Sequence, residues 1–294
     1  MTMRLRRLTP CIGAEVEGID LRAPLTSEHA QSIHEAMDKH AVLVFRSQAL
    51  SDDEHAAFTR ALGEMEDARG SSLRAATDFR LPTNFADVSN LDGNHKPYGP
   101  GDRGRLFAIG NRLWHSDSSF KPIPAKYSLL RAVCIPSRGG NTEFAHMGAA
   151  YEALDEETRT LIEDLVCEHS QLFSRESIGF TDFTPEERSR FRPVRQRLVR
   201  TLPGTGRKSI YLSSHAGGIV GWPLPEARLL LRDLTEHATQ PRFVYSHRWQ
   251  VNDLVMWDNR QTMHRARPFP AHEPRDMRRT TLKGDAPTVL EQAA

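Results

Sequence analysis

The sequence predicts a mainly β fold with flanking helices (α+β), a β-sandwich or jelly roll decorated by helices, in one domain over 1–294. Three observations carry this expectation. Short runs of strand character recur along most of the chain, turn-forming residues separate them, and only a few stretches keep a helical period. Neither an internal repeat nor a linker of changed composition divides the 294 residues.

The elements follow in order. Ile12-Gly-Ala-Glu-Val-Glu-Gly-Ile-Asp-Leu21 alternates apolar and polar residues over part of its length, with glycines suited to bends between short strands. Ala30, Ile33, His34 and Met37 then fall at helical spacing within 27–40, and Ala41-Val-Leu-Val-Phe45 is an apolar run suited to a buried strand. Ser51 and Glu54 form a capping box before Ala56, Ala57, Phe58, Ala61 and Leu62, and Gly63 can end that helix. From 64 to 105 the periodicity is lost around a short strand-like run, Asn84-Phe-Ala-Asp-Val-Ser89. A structureless segment of this length inside a domain is usually functional, and it is expected to be an active-site lid. Further strands are expected at 126–135, 197–202, 208–213, 242–249, 253–258 and 277–283, with helices near 147–165 and 224–238, where Pro225 suits a first turn.

Composition excludes several functions. A formal net charge of +1 offers no chain-wide basic field for nucleic acid, so a small-molecule partner is expected. Cys11, Cys134 and Cys167 are odd in number and widely spaced, which predicts neither a disulfide framework nor a thiolate zinc site and fits a reducing, cytoplasmic setting. No apolar run approaches a membrane span, and no apolar signal segment follows the basic N-terminus.

Trp114-His-Ser-Asp117 reads as extended chain, in which residues i and i+2 face one side, so His115 and Asp117 can chelate one metal. A second histidine has to come from elsewhere, and His264 lies just beyond the strand Asp253-Leu-Val-Met-Trp257. Two imidazoles and one carboxylate fill one face of an octahedron and leave three positions open, the ligand set of non-heme iron(II) oxygenases. Among 13 histidines an HxD pair also arises by chance. Arg275 and Arg279 add to it: four apart on a returning strand they share a face, and their planar forks suit carboxylates. Alone, such arginines are more often solvated residues of an edge strand.

Taken together, Val42-Leu-Val-Phe-Arg46, Leu113-Trp-His-Ser-Asp-Ser-Ser-Phe120, Gly139-Gly-Asn-Thr-Glu-Phe144, Glu236-His-Ala-Thr-Gln240 and Asp253-Leu-Val-Met-Trp-Asp-Asn-Arg260 resemble the TauD/TfdA family over nearly the whole chain. The likeness is strongest to its 2,4-dichlorophenoxyacetate (aryloxyalkanoate) branch. The resemblance implies a double-stranded β-helix, the cupin-like jelly roll, with iron(II) held by His115, Asp117 and His264. It also implies that Thr142 and Arg275 hold the distal carboxylate of 2-oxoglutarate, and that Arg279 takes the substrate's anionic group, with Asn111 beside the substrate and Ser118 donating to its carboxylate. The implied reaction uses dioxygen, with ascorbate in support. It hydroxylates the carbon next to the ether oxygen of an aryloxyalkanoate and releases a phenol, glyoxylate or pyruvate, succinate and carbon dioxide.

Asn141 stands where relatives carry aspartate, and 64–105 matches poorly; there Arg69, Arg74, Arg80 and Lys96 are candidates for a second contact to the anion. The same chemistry on taurine, an alkyl sulfate or another small carboxylate is the main alternative, and a zinc-containing binding protein is a more distant one. Exposed strand edges and the habits of relatives point to a homo-oligomer.

Overall fold

The structure, a computed structural model, describes residues 3–73 and 79–289. Its strands are β1 Arg4–Arg7, β2 Ala14–Glu17, β3 Val42–Phe45, β4 Ala86–Asp87, β5 Tyr127–Cys134, β6 Thr142–His146, β7 Val166–His169 and β8 Val194–Arg197. They continue with β9 Val199–Thr201, β10 Lys208–Ile210, β11 Ala216–Ile219, β12 Val244–His247, β13 Leu254–Asp258, β14 Thr262–Ala266 and β15 Asp276–Thr281. The helices are α1 Ser27–His40, α2 Asp52–Leu62, α3 Arg103–Ala108, α4 Met147–Glu152, α5 Glu156–Ile162, α6 Gln171–Glu176, α7 Pro185–Arg190 and α8 Leu224–Ala238.

A seven-stranded sheet in the order β1-β2-β3-β13-β5-β15-β4 faces a three-stranded sheet, β12-β6-β14, and the result is a jelly roll. The central strands are buried on both faces, which explains their uninterrupted apolar runs. Leu43, Phe45, Leu129, Leu254 and Met256 pack against Ile33 and Met37 of α1 and Phe58 and Leu62 of α2. Their alternate neighbours Val42, Val44, Leu130, Val255 and Trp257 point into the roll and meet Phe144 of β6. Two smaller sheets, β11-β7-β8 and β10-β9, support a separate core under α4 and α8.

Most expected elements are present with shifted ends. The capping box of α2 forms, with Ser51 and Glu54 each bonded to the other's backbone N–H. The helix expected over 147–165 is two helices, because the Asp155 side chain accepts from the Thr158 N–H and starts a new one. The 12–21 strand is confined to β2, which pairs with a fully exposed strand, β1, that hydropathy does not indicate. Strands β6, β7, β11 and β14 and helices α3, α6 and α7 have no counterpart among the elements expected from sequence. Among the described residues no helix is long and apolar enough to cross a membrane.

Candidate active site

The site is built where the chain leading out of α3 crosses β14. The His115 N–H donates to the His264 carbonyl at 3.0 Å and the His264 N–H to the His115 carbonyl at 2.8 Å, a two-residue bridge. This brings the two imidazole centroids to 4.2 Å across 149 residues of sequence. Past His115 the chain turns, and the Asp117 N–H donates to Asn259 Oδ1 at 3.1 Å. Asn259 is itself fixed, since its Oδ1 accepts from the Trp257 indole at 3.0 Å and its Nδ2 donates to Ser128 Oγ at 3.0 Å. Ser128 donates to Asp117 Oδ2 at 2.7 Å. Ligand atoms of His115, Asp117 and His264 thus lie within 4.8 Å of one another.

The donors suit a divalent ion. Nδ1 of His115 lies 2.8 Å from the Leu113 carbonyl and so carries the proton, leaving the Nε2 lone pair available. Burial pushes both imidazoles below their ordinary range, which keeps them neutral at pH 7. Burial alone would raise the Asp117 carboxyl, but the Arg279 guanidinium, both imidazoles and the Ser128 hydroxyl overcome it and hold the group at about 2. Two neutral nitrogens and a carboxylate match the requirement for deprotonated ligands.

His115 and Asp117 open onto a cavity of about 210 Å³. Among the described residues eight arginines and two aspartates line it, so a local basic field is present that the whole-chain charge of +1 conceals. Arg275 is buried without a carboxylate partner among the described residues. Its Nη1 donates only to the Val88 carbonyl, at 3.1 Å, and burial pushes the guanidinium down to about 10. Arg279 pairs with Asp117 through Nη1, while its buried Nε has no partner among the described residues. A bulge between Asp276 and Met277 breaks the regular alternation assumed for these arginines, yet both line the cavity.

Thr142 pairs with Ala266, so it shares the face of His264, and its Oγ1 accepts from the Trp249 indole at 3.0 Å. The glycines before it are required by close approach. Gly139 and Gly140 have φ of +72° and +71°, and a Cβ at Gly139 would sit 2.4 Å from the Pro268 carbonyl oxygen. Gly139→Ala is expected to cost at least about 2 kcal/mol, from left-handed strain plus this overlap, in a urea titration.

Asn111 lines the cavity and its Oδ1 accepts from Arg175 at 3.1 Å. Ser118 does not serve the expected role in this geometry. Its φ of +54° turns the hydroxyl onto Glu66, at 2.8 Å, where Lys121 also binds, and it is not a lining residue. Much of 64–105 forms one wall of the cavity. Within it Arg69 lines the cavity over the Phe79 ring, and Arg80 is held by Asp87, Ser89 and Asp276. Lys96 lies outside the cavity, and Arg74 lies outside the described residues. Sequence reasoning missed Arg175 and Phe120 as wall residues; His215, one of several histidines that could extend a polar shell, also lines the cavity and packs edge-on to the His115 ring.

A jelly roll whose buried His–Asp–His cluster opens, through His115 and Asp117, onto an arginine-lined cavity has the build of a metal-dependent enzyme with a small-molecule substrate. The family model "Taurine catabolism dioxygenase TauD, TfdA family" matches residues 4–281, and the chain belongs to this family of 2-oxoglutarate-dependent dioxygenases. It therefore uses 2-oxoglutarate, dioxygen and a metal on a small organic substrate. The chain is 43% identical to the alpha-ketoglutarate-dependent 2,4-dichlorophenoxyacetate dioxygenase of Cupriavidus pinatubonensis, over 97% of this chain and 99% of that one. It is 32% identical to the (S)-phenoxypropionate/alpha-ketoglutarate-dioxygenase of Delftia acidovorans, over 96% of each. The crystal structure of AAD-2 in complex with Mn(II) and N-oxalylglycine is similar at a TM-score of 0.96 and 57% identity, covering 98% of this chain and 100% of that one.

Proposed function

We propose that the chain is an iron(II)- and 2-oxoglutarate-dependent dioxygenase that hydroxylates the carbon between the ether oxygen and carboxylate of an aryloxyalkanoate. The products are a phenol, glyoxylate (pyruvate from a 2-aryloxypropionate), succinate and carbon dioxide. The observation that carries the proposal is one cavity onto which a His–Asp–His cluster opens through His115 and Asp117, and which buried guanidinium groups and the aromatic side chains Phe79, Phe85, Phe107 and Phe120 line. That combination suits a metal, two carboxylate-bearing molecules and an aryl ring.

His115, Asp117 and His264 would hold iron(II), which supplies the oxidising chemistry when 2-oxoglutarate and dioxygen are present. Arg275, with the Thr142 hydroxyl, takes the distal carboxylate of 2-oxoglutarate; the Trp249 indole occupies the Thr142 oxygen and leaves the hydroxyl hydrogen to donate. Arg279, with its unpartnered Nε, receives the substrate carboxylate and so fixes which carbon is presented for reaction. Asn111 contributes a donor from the facing wall. The whole chain serves as one catalytic domain, with 64–105 as the lid that excludes water. A cytoplasmic location, a homo-oligomeric state and support by ascorbate, which keeps iron reduced, fit this reading.

The test is succinate release from 2-oxoglutarate under air, with iron(II) and ascorbate, across aryloxyacetates, both aryloxypropionate enantiomers, taurine and an alkyl sulfate. Phenol in step with succinate, abolished in His115→Ala, is the expected result. Turnover of taurine or the alkyl sulfate alone would move the substrate to another anion and keep the enzyme class.

A further inference from the structure

Arg175 of α6 is buried at 3% exposure, lines the cavity, and has no carboxylate partner among the described residues. Its guanidinium is spent on three neutral acceptors. Nε donates to the Phe107 carbonyl at 3.0 Å, Nη1 to Ser174 Oγ at 3.1 Å, and Nη2 to Asn111 Oδ1 at 3.1 Å. The neighbouring backbone is shaped around it: a Cβ at Gly110 would lie 2.4 Å from Arg175 Nε, so only glycine lets the guanidinium pass beneath Asn111. A buried cation held this way is costly unless it serves a purpose.

Its effect on Asn111 follows from donor chemistry. A guanidinium has no acceptor, so the end of the carboxamide it meets must be oxygen. The NH2 end, which has no protein acceptor among the described residues, is therefore the end Asn111 offers to the cavity it lines. Without Arg175 the amide could turn over and present oxygen instead.

We propose that Arg175 is a positioning residue that locks Asn111 as a hydrogen-bond donor, and that this donor reads the ether oxygen of the substrate. The inference rests on the aryloxyalkanoate reading. In that substrate the carboxylate has Arg279 and the ring has the aromatic walls, which leaves the bridging oxygen as the acceptor without a protein partner. A donor there selects an aryl ether over its all-carbon isostere and fixes the rotation of the O–CH2 bond whose hydrogen is removed.

The test measures equilibrium binding by calorimetry, with the iron- and 2-oxoglutarate-loaded enzyme under argon. The ligands are 2,4-dichlorophenoxyacetate and 3-(2,4-dichlorophenyl)propanoate, which differ only by O against CH2. Desolvation alone favours the carbon isostere, so tighter binding of the ether requires a donor in the site. Wild type is expected to prefer the ether by roughly three- to tenfold, the range of one neutral hydrogen bond. Arg175→Met is expected to abolish or invert the ratio. Asn111→Asp reads the same ratio while keeping the acceptor for Arg175, so the test survives if the arginine variant does not fold; it presents oxygen where NH2 stood and should also favour the isostere. Loss of charge weakens both carboxylates alike and cancels in the ratio. A wild-type ratio of one or below, or a wild-type ratio retained in both variants, overturns the inference alone. Binding of neither ligand overturns the functional reading and the inference with it.

Discussion

Asp117→Asn is expected to lose metal binding and at least about 100-fold of turnover, with the fold retained. Removing a hydrogen-bonded supporter of a metal ligand typically costs ten- to a hundredfold, and here the sole anionic donor of the cluster goes. The two imidazoles that remain are neutral, so nothing in the cluster balances a divalent charge. The change also strips the counter-charge from Arg279. Because that guanidinium keeps some solvent contact, the stability loss should fall below the several kcal/mol of a fully buried broken pair, at about 1–2 kcal/mol. Equilibrium dialysis against iron(II) or manganese(II) and a thermal melt separate the two effects. A variant that melts near wild type yet holds no metal is the expected outcome; retention of metal at wild-type affinity would remove Asp117 from the ligand set.

The parts of this site legible in the sequence are those that depend on short spacing. His115 and Asp117 sit two apart, and Arg275 and Arg279 four apart, so periodicity alone could put each pair on one face. What periodicity could not give is the bridge that joins His115 to His264, since it is a contact between an irregular segment and a strand. That strand, β14, escapes a hydropathy reading because Thr262-Met-His-Arg-Ala266 has no apolar run. The missed strands share this cause: β11 is Ala216-Gly-Gly-Ile219 and β1 is fully exposed, so their pairing partners define them and their composition does not. Arg175 is invisible for a different reason. An arginine buried on neutral acceptors looks in sequence like any surface arginine, and its one local signature, the glycine before Asn111, gains meaning only when α6 is seen to lie beneath it. Ser118 shows the converse, a residue adjacent to a ligand whose positive φ turns it away from the cavity, which neighbourhood in sequence cannot reveal.

Arg275→Met is expected to raise the concentration of 2-oxoglutarate needed for half-maximal rate by about 100-fold or more, while leaving the empty protein as stable as wild type or more so. The two halves have one cause. In the protein without ligands the guanidinium is fully buried, donates to the Val88 carbonyl, lies 5.5 Å from the Phe269 ring and has no carboxylate partner among the described residues, and burial has already pushed it down to about 10. An apolar side chain of similar length removes that desolvation cost, as replacing buried charges with well-packed hydrophobic groups often does. Once a carboxylate arrives, the same buried charge becomes the stronger partner of a desolvated pair, whose truncation typically costs about 2–5 kcal/mol. Steady-state kinetics in 2-oxoglutarate at saturating substrate gives the first quantity, and thermal melts with and without 2-oxoglutarate give the second. Wild type should gain stability from the cosubstrate by mass action while the variant gains little at the same concentration. A variant that melts well below wild type without ligand would instead make Arg275 a structural residue, and its effect on the cosubstrate a consequence of a damaged roll.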